Sequence, residues 1–182
     1  VVLTAAQPFT SQLVMSNPKQ FKYDLIWEKT IASGQLNVAH QPMRAHESIL
    51  VFSTKKGTYN EQKTIGDPYK IKRKGLYADG SYGEQKASQK DNTGFRHARS
   101  VLKIPNPRIK NGHPTQKPTY LMEWIVKTYA NPKDVVLDCC MGSGTTGEAC
   151  INTDRLFIGI ELQKSYYDDA KKRLTSLWNQ KK

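Results

Sequence analysis

The chain has 182 residues and carries 28 Lys and Arg against 16 Asp and Glu, a formal charge of +12. That length holds one well-filled core with a small appended part, and that charge suits a polyanionic partner without separating DNA from RNA or an acidic surface. No run approaches 18 apolar residues, which excludes a membrane-spanning helix, and three cysteines do not make a disulfide framework, which favours a reducing, cytoplasmic setting.

Residues 1–54 read as α/β core. Val1-Val2-Leu3 predicts a strand and 8–14 a short helix. Tyr23-Asp24-Leu25-Ile26-Trp27 predicts a second strand with partial alternation. Ser48-Ile49-Leu50-Val51-Phe52 predicts a third, continuous enough to be buried on both faces. The segment 30–46 has no steady period and reads as a loop. Over 55–112 the character changes, with 14 Lys and Arg against 5 Asp and Glu and with Tyr59, Tyr69, Tyr77, Tyr82 and Phe95 scattered between them. Such a segment builds little core of its own. It reads as an insertion that turns basic side chains to a phosphate backbone and leaves aromatics free to stack on bases, or as a solvated loop region that is merely basic. Arg96, Arg99, Lys103, Arg108 and Lys110 are the expected nucleic-acid contacts, with Lys72, Arg73 and Lys74 equally basic.

Regular structure returns at 113–182. Leu121, Trp124, Ile125 and Thr128 share one face of a helix over 118–129 that Asn131-Pro132 terminates. A strand over 134–139, a glycine loop, a helix over 145–151 and a strand over 156–160 follow. A last helix over 164–178 places Tyr167, Ala170, Leu174 and Leu177 on one stripe. Strand–helix–strand–helix at this spacing predicts a parallel βαβ unit with both sheet faces covered.

The loop Leu137-Asp138-Cys139-Cys140-Met141-Gly142-Ser143-Gly144-Thr145-Thr146 carries most of the functional information. Gly142 and Gly144 let the backbone approach a ligand closely, and Thr145 and Thr146 open a helix whose free N–H groups favour a polar or anionic group. Glu161 follows 19 residues after Gly142, at the end of the next strand, where an acid accepts both ribose hydroxyls of an adenosine. NAD shares that feature, and Gly147 stands where a dinucleotide fingerprint has its third glycine. Asp138 before the loop would face a pyrophosphate unfavourably and suits an ammonium or sulfonium group; alternatively it caps or braces the loop. No Lys-Ser/Thr follows the glycines, which excludes a Walker phosphate loop. The chemistry favours S-adenosylmethionine over NAD.

Residues 134–150, Phe157-Ile158-Gly159-Ile160-Glu161 and the segment 166–174 resemble the cofactor motifs of the β-class DNA amino-methyltransferases, which modify adenine N6 or cytosine N4. His113-Pro114-Thr115-Gln116-Lys117-Pro118 is similar to the family motif that precedes the cofactor strand, and 21–29 and 45–53 to its paired core segments. The resemblance implies a three-layer, Rossmann-like α/β methyltransferase fold with a mostly parallel sheet. Residues 1–54 and 113–182 would be the core, and 55–112 the basic target-recognition insertion. It implies that Asp138, Gly142, Ser143, Gly144, Thr145 and Thr146 line S-adenosylmethionine and that Glu161 holds the ribose. Thr115 and Lys117 would act from the other side, although Lys117 also reads as an ordinary solvent-facing lysine at a helix start. No metal is implied. The implied partner is double-stranded DNA in a bacterial or phage restriction–modification setting, with no membrane and with a homodimer allowed.

Two departures stand out. The family's catalytic Asp/Asn/Ser-Pro-Pro-aromatic tetrapeptide does not occur; Asp67-Pro68-Tyr69 lacks a proline and reads as a turn. Its absence leads to the expectation of a missing N-terminal portion of some tens of residues, carrying that tetrapeptide and a central strand between those at 134–139 and 1–3. Without that strand the sheet would split and leave two edges unpaired. The second departure is Cys139-Cys140 in place of the family's Pro-Phe, which predicts weaker cofactor binding and an oxidation-sensitive pocket. The leading expectation is adenine-N6 methylation of DNA. Cytosine-N4 methylation, an inactive DNA-binding relative, an RNA methyltransferase and a non-enzymatic basic scaffold are the rivals.

Overall fold

The computed structural model describes residues 1–73, 88–107 and 116–181. In chain order they form β1 (Val2–Ala5), α1 (Phe9–Ser16), β2 (Phe21–Ser33), a 3₁₀ turn (Gln35–Asn37), β3 (Arg44–Phe52), β4 (Thr64–Ile65) and β5 (Tyr69–Arg73). Then come β6 (Ser88–Asn92), β7 (Phe95–Arg96), β8 (Val101–Lys103), α2 (Thr119–Tyr129), β9 (Val135–Asp138), α3 (Thr145–Thr153), β10 (Leu156–Gly159) and α4 (Lys164–Lys181). Two compact units result, Val1–Asn60 with Arg99–Lys182, and Glu61–Ala98.

The larger unit holds a four-stranded sheet in the order β1-β3-β2-β8. Strand β3 runs antiparallel to both neighbours, and only β2–β8 is parallel. The expectation of a mostly parallel sheet is therefore corrected. Residues 34–43 alone join β2 to β3, and a parallel return would need a crossover of about a dozen residues or more. The expected loop over 30–46 is shortened for a related reason. Strand β2 runs on to Ser33, which pairs with Arg44 beyond a bulge, and residues exposed on both faces show no period.

Alternation sorts the strand side chains onto two cores. Leu25, Trp27 and Ile49 pack with Ile104 against Leu121 and Ile125 of α2, while Leu50, Phe52 and Ala5 face Leu13 and Val14 of α1. Trp27 is 2% exposed, and its indole N–H donates to the Ile104 carbonyl at 2.8 Å, so its one polar group is satisfied. Helix α2 starts at the extended Pro118 and ends at the extended Ala130, before Asn131-Pro132, because a residue preceding proline is pushed out of the helical region. Ile49 and Leu121 are wholly buried, each burial contributing roughly 1.5–3 kcal/mol of hydrophobic stabilisation.

Helix α2 also faces a second sheet. Strands β9 and β10 are parallel, joined through α3, with Leu137 opposite Ile158. Val136 and Phe157 point inward to Val126, Ala149 and Cys150. The expected cover on both faces is corrected. Val135, Leu137, Leu156 and Ile158 on the other face are 57%, 61%, 53% and 54% exposed. This pair is not hydrogen-bonded to the four-stranded sheet.

The smaller unit is built from the antiparallel pairs β4–β7 and β5–β6. Among the described residues no helix is long and apolar enough to cross a membrane.

Candidate functional site

The glycine loop leaves β9 at Asp138 and enters α3 at Thr145. Gly144 takes φ +78°, which an L side chain adopts only with strain, and its N–H donates to the Met141 carbonyl at 2.8 Å. Asp138 accepts from both limbs of the loop: its Oδ1 from the Cys140 N–H at 3.1 Å, its Oδ2 from the Thr146 hydroxyl at 2.6 Å. The bracing role is thus present in the folded chain. Thr145 and Thr146 are buried, 5% and 8% exposed.

Glu161 turns back to the same loop. Its Oε2 accepts the Gly142 N–H and its Oε1 the Gln163 N–H, each at 2.9 Å. These two N–H donors orient the Glu161 carboxylate at the loop. The two acids expected to flank an adenosine cofactor therefore lie at one loop, each held by backbone donors.

Gly147 has a different reason. A Cβ there would lie 2.7 Å from Leu174 Cδ1 and 2.8 Å from the Phe157 ring, so glycine is required for α3 to approach β10 and α4. The third glycine is explained by packing alone, and the resemblance to a dinucleotide fingerprint loses its weight.

Gln116, next to Lys117, receives the Ser143 hydroxyl on its Oε1 at 3.1 Å, which joins the segment before α2 to the glycine loop. Lys117 Nζ lies 3.0 Å from Glu47 Oε2, and Lys29 Nζ lies 2.5 Å from Glu47 Oε1. Both ammonium groups stand over the Trp27 ring, at 5.9 and 5.1 Å. Burial opposes the Glu47 charge, but the Lys29 hydrogen bond and the nearby Lys117 charge hold its carboxyl below the usual range. Thr115 lies outside the described residues.

Two residues that sequence reasoning missed fasten the loop. Arg173 of α4 donates to the Ser143 carbonyl at 3.0 Å and pairs with Glu148 of α3, whose Oε2 also accepts from Thr119 at 3.2 Å. Their separation along the chain leaves no local signal. Cys139 and Cys140 are exposed free thiols; burial, then the Asp138 charge, pushes the Cys140 thiol above its ordinary value, away from the reactive thiolate.

The expected nucleic-acid contacts divide. Arg96 has partners inside the smaller unit: its guanidinium stacks on Tyr69 at 4.4 Å and donates to Asn92 and to the Asp67 carbonyl. Asp67-Pro68 lies between β4 and β5, in a stretch that forms neither a turn nor a regular element. Lys72 is exposed on β5, and Arg73 ends that strand opposite Ser88. Arg99 is exposed, and Lys103, 77% exposed, pairs with Glu28 at 3.3 Å. Lys74, Arg108 and Lys110 lie outside the described residues. Among the described residues no cluster of His, Cys, Asp and Glu could hold a metal.

Comparison with known proteins agrees with this geometry. The chain is 28% identical over 151 residues to the type II methyltransferase M.Cfr9I of Citrobacter freundii, covering 83% of this chain and 43% of that protein. It is 47% identical over 74 residues to the DNA adenine methyltransferase YhdJ of Escherichia coli K12, covering 37% of this chain and 25% of that one. The crystal structure of the M1.HpyAVI–SAM complex superposes with a TM-score of 0.63 at 30% identity, over 95% of this chain and 72% of that one. The chain thus spans less than half the length of these two curated relatives. The pattern of the DNA methylase family matches residues 7–172. That match corrects the expectation of a missing N-terminal portion carrying the tetrapeptide, since the family pattern is met from the seventh residue on. The chain belongs to the DNA methylase family.

Proposed function

We propose that this chain acts as a DNA amino-methyltransferase that uses S-adenosylmethionine, with adenine N6 as the target atom and cytosine N4 as the alternative. The observation that carries the reading is the pair of braced acids at the glycine loop. Asp138 and Glu161 are held at one loop by backbone and hydroxyl donors at 2.6–3.1 Å. Stretches similar to an adenine methyltransferase support the adenine assignment.

When bound, S-adenosylmethionine supplies an electrophilic sulfonium methyl. The residues present fit it. Glu161 would accept the ribose hydroxyls, and the Asp138 charge favours a cationic methionine end. Gly142, Ser143, Gly144, Thr145 and Thr146 would form the wall of the site, and at Gly144 the lack of a Cβ lets the loop pack on Ala170 and Leu174 of α4. Lys117, anchored by Glu47, and Thr115 would close the opposite side. The amino nitrogen of a base turned out of the duplex is itself the nucleophile, so neither Cys139 nor Cys140 needs to form a covalent bond. Residues 55–112 would be the recognition insertion, with Lys72, Arg73, Lys74, Arg96, Arg99, Lys103, Arg108 and Lys110 as its contacts to double-stranded DNA. The kinship with type II methyltransferases supports a restriction–modification setting.

The absence of an Asp/Asn/Ser-Pro-Pro-aromatic tetrapeptide from residues 1–182 favours one second reading, a relative that binds cofactor and DNA but transfers nothing. Incubating unmethylated DNA with the chain and isotope-labelled S-adenosylmethionine, then analysing nucleosides by mass spectrometry, separates the two. Labelled N6-methyladenine or N4-methylcytosine supports transfer and names the atom; retention of both ligands without label supports the binding-only reading.

A further inference from the structure

Helix α4 carries an arginine on its packed face. Ala170, Arg173 and Leu174 are spaced i, i+3 and i+4, so they share one side of the helix. That side lies against the glycine loop. A Cβ on Gly144 would stand 3.2 Å from Ala170 Cβ and 3.3 Å from Leu174 Cδ1, and Ala170 is fully buried. Beside these apolar contacts the Arg173 guanidinium donates to the Ser143 carbonyl at 3.0 Å and pairs with Glu148. The two side chains are 29% and 19% exposed, which sets the pair apart from an ordinary surface ion pair.

The carbonyl matters more here than the ion pair. Ser143 C=O and Gly144 N–H belong to one planar trans peptide and point to opposite sides of the chain. Arg173 holds the carbonyl, and the Met141 carbonyl accepts the Gly144 N–H at 2.8 Å. One peptide plane is thus pinned from both edges. Gly142 at φ +51° and Gly144 at φ +78° stand on either side of Ser143, and glycine takes either sign of φ at little steric cost. The residues that allow the loop its shape therefore also allow it to rotate out of that shape. The other anchors act elsewhere: Glu161 on the Gly142 N–H, Asp138 on the Cys140 N–H and the Thr146 hydroxyl, and Gln116 on the Ser143 side chain. Of these anchors only Arg173 takes the Ser143 carbonyl.

We infer that Arg173 is a positioning residue for the cofactor: by holding the Ser143 carbonyl it fixes the Ser143–Gly144 peptide and so sets how tightly the glycine loop binds S-adenosylmethionine. The inference rests on the proposed role of that loop and extends it to a helix outside the expected binding residues. Without Arg173 the peptide keeps one neutral backbone bond, and rotated orientations compete with the one that lines the site. Binding draws on the competent orientation, so apparent affinity falls with its fraction. Arg173 itself takes no part in methyl transfer.

Calorimetric titration of S-adenosylmethionine into the full chain and into Arg173→Gln, Arg173→Lys and Arg155→Gln tests this. Arg155 is the control for lost stability, because it donates to the Thr153 and Ala130 carbonyls beyond the far end of α3 and does not touch the loop. Arg173→Gln is expected to bind about threefold to tenfold more weakly, the scale on which loss of a charged donor redistributes two orientations. Arg173→Lys keeps a cation on α4 and should fall between that variant and the unaltered chain. Arg155→Gln should bind as the unaltered chain does, although its Tm also drops. Amide hydrogen exchange of the cofactor-free proteins gives a readout that overall stability does not mimic. Residues 142–146 should exchange faster in Arg173→Gln relative to the rest of α3, and not in Arg155→Gln. Unaltered affinity in Arg173→Gln would overturn the inference and leave the cofactor reading standing. An equal loss in Arg155→Gln at matched Tm would also overturn it, since affinity would then follow stability alone. Absence of binding by the unaltered chain would overturn the cofactor reading, and the inference with it.

Discussion

Replacing Glu47 by glutamine is the sharpest perturbation of the framework behind the site. Glu47 is 16% exposed and receives Lys29 at 2.5 Å and Lys117 at 3.0 Å, both over the face of Trp27. At an effective dielectric near 20, each charge pair separated by about 4 Å contributes about 4 kcal/mol of attraction. Removing three charged groups from water and fixing two long lysines cancels most of this. Glutamine keeps the volume but leaves two ammonium groups together without a counter-charge. The expected loss is about 3 kcal/mol, the low end for a broken buried pair. For a chain of this length that lowers Tm by about 6–12 °C. Urea unfolding at pH 7 measures it directly. The pH dependence gives an independent check. The folded carboxyl of Glu47 lies below its ordinary 4.5, so its contribution is complete above that pH and is lost as pH falls through the folded value. The gap between the unaltered chain and Glu47→Gln should therefore close in acid. A variant within about 0.5 kcal/mol of the unaltered chain at pH 7, the range of an ordinary surface change, would refute the reasoning.

Further predictions concern packing and surface. Gly147→Ala should cost about 1–2 kcal/mol, because the contacts with Leu174 and Phe157 at 2.7–2.8 Å outweigh the better helix propensity of alanine; denaturant midpoints check this. Arg96→Ala should expose residues 61–98 to limited proteolysis, since Tyr69, Asn92 and Asp67 lose their common partner, whereas Arg99→Ala should leave the digestion pattern unchanged. The open face of Val135, Leu137, Leu156 and Ile158 should drive concentration-dependent association. Leu137→Lys should shift the sedimentation profile toward the monomer.

What was legible in the sequence was local. Asp138, the glycines and Thr146 fall within nine residues, and the loop they form is governed by short-range turn and capping rules. Glu161 was legible because one βαβ unit fixes its distance from Gly142, and the N–H bond between them closes that unit. Strand direction was not legible: Ser48-Ile49-Leu50-Val51-Phe52 is buried on both faces as a parallel strand would be, yet it is antiparallel. Apolar runs report burial and carry no direction. Arg96 was read from charge as a nucleic-acid contact, and charge gave no sign that its guanidinium also meets Tyr69 and a carbonyl within its own unit. The links Arg173–Ser143, Ser143–Gln116 and Lys117–Glu47 join segments distant in the chain, and only the fold brings them together.

The central claim is that the loop between β9 and α3 holds S-adenosylmethionine through Asp138 and Glu161. Calorimetric titration of S-adenosylmethionine into the unaltered chain and into Glu161→Ala tests it most directly. The account predicts saturable binding by the unaltered chain and a loss of at least about tenfold in the variant, the scale of a charge-assisted hydrogen bond pair. Binding of equal strength in both proteins, or none in the unaltered chain, would contradict it.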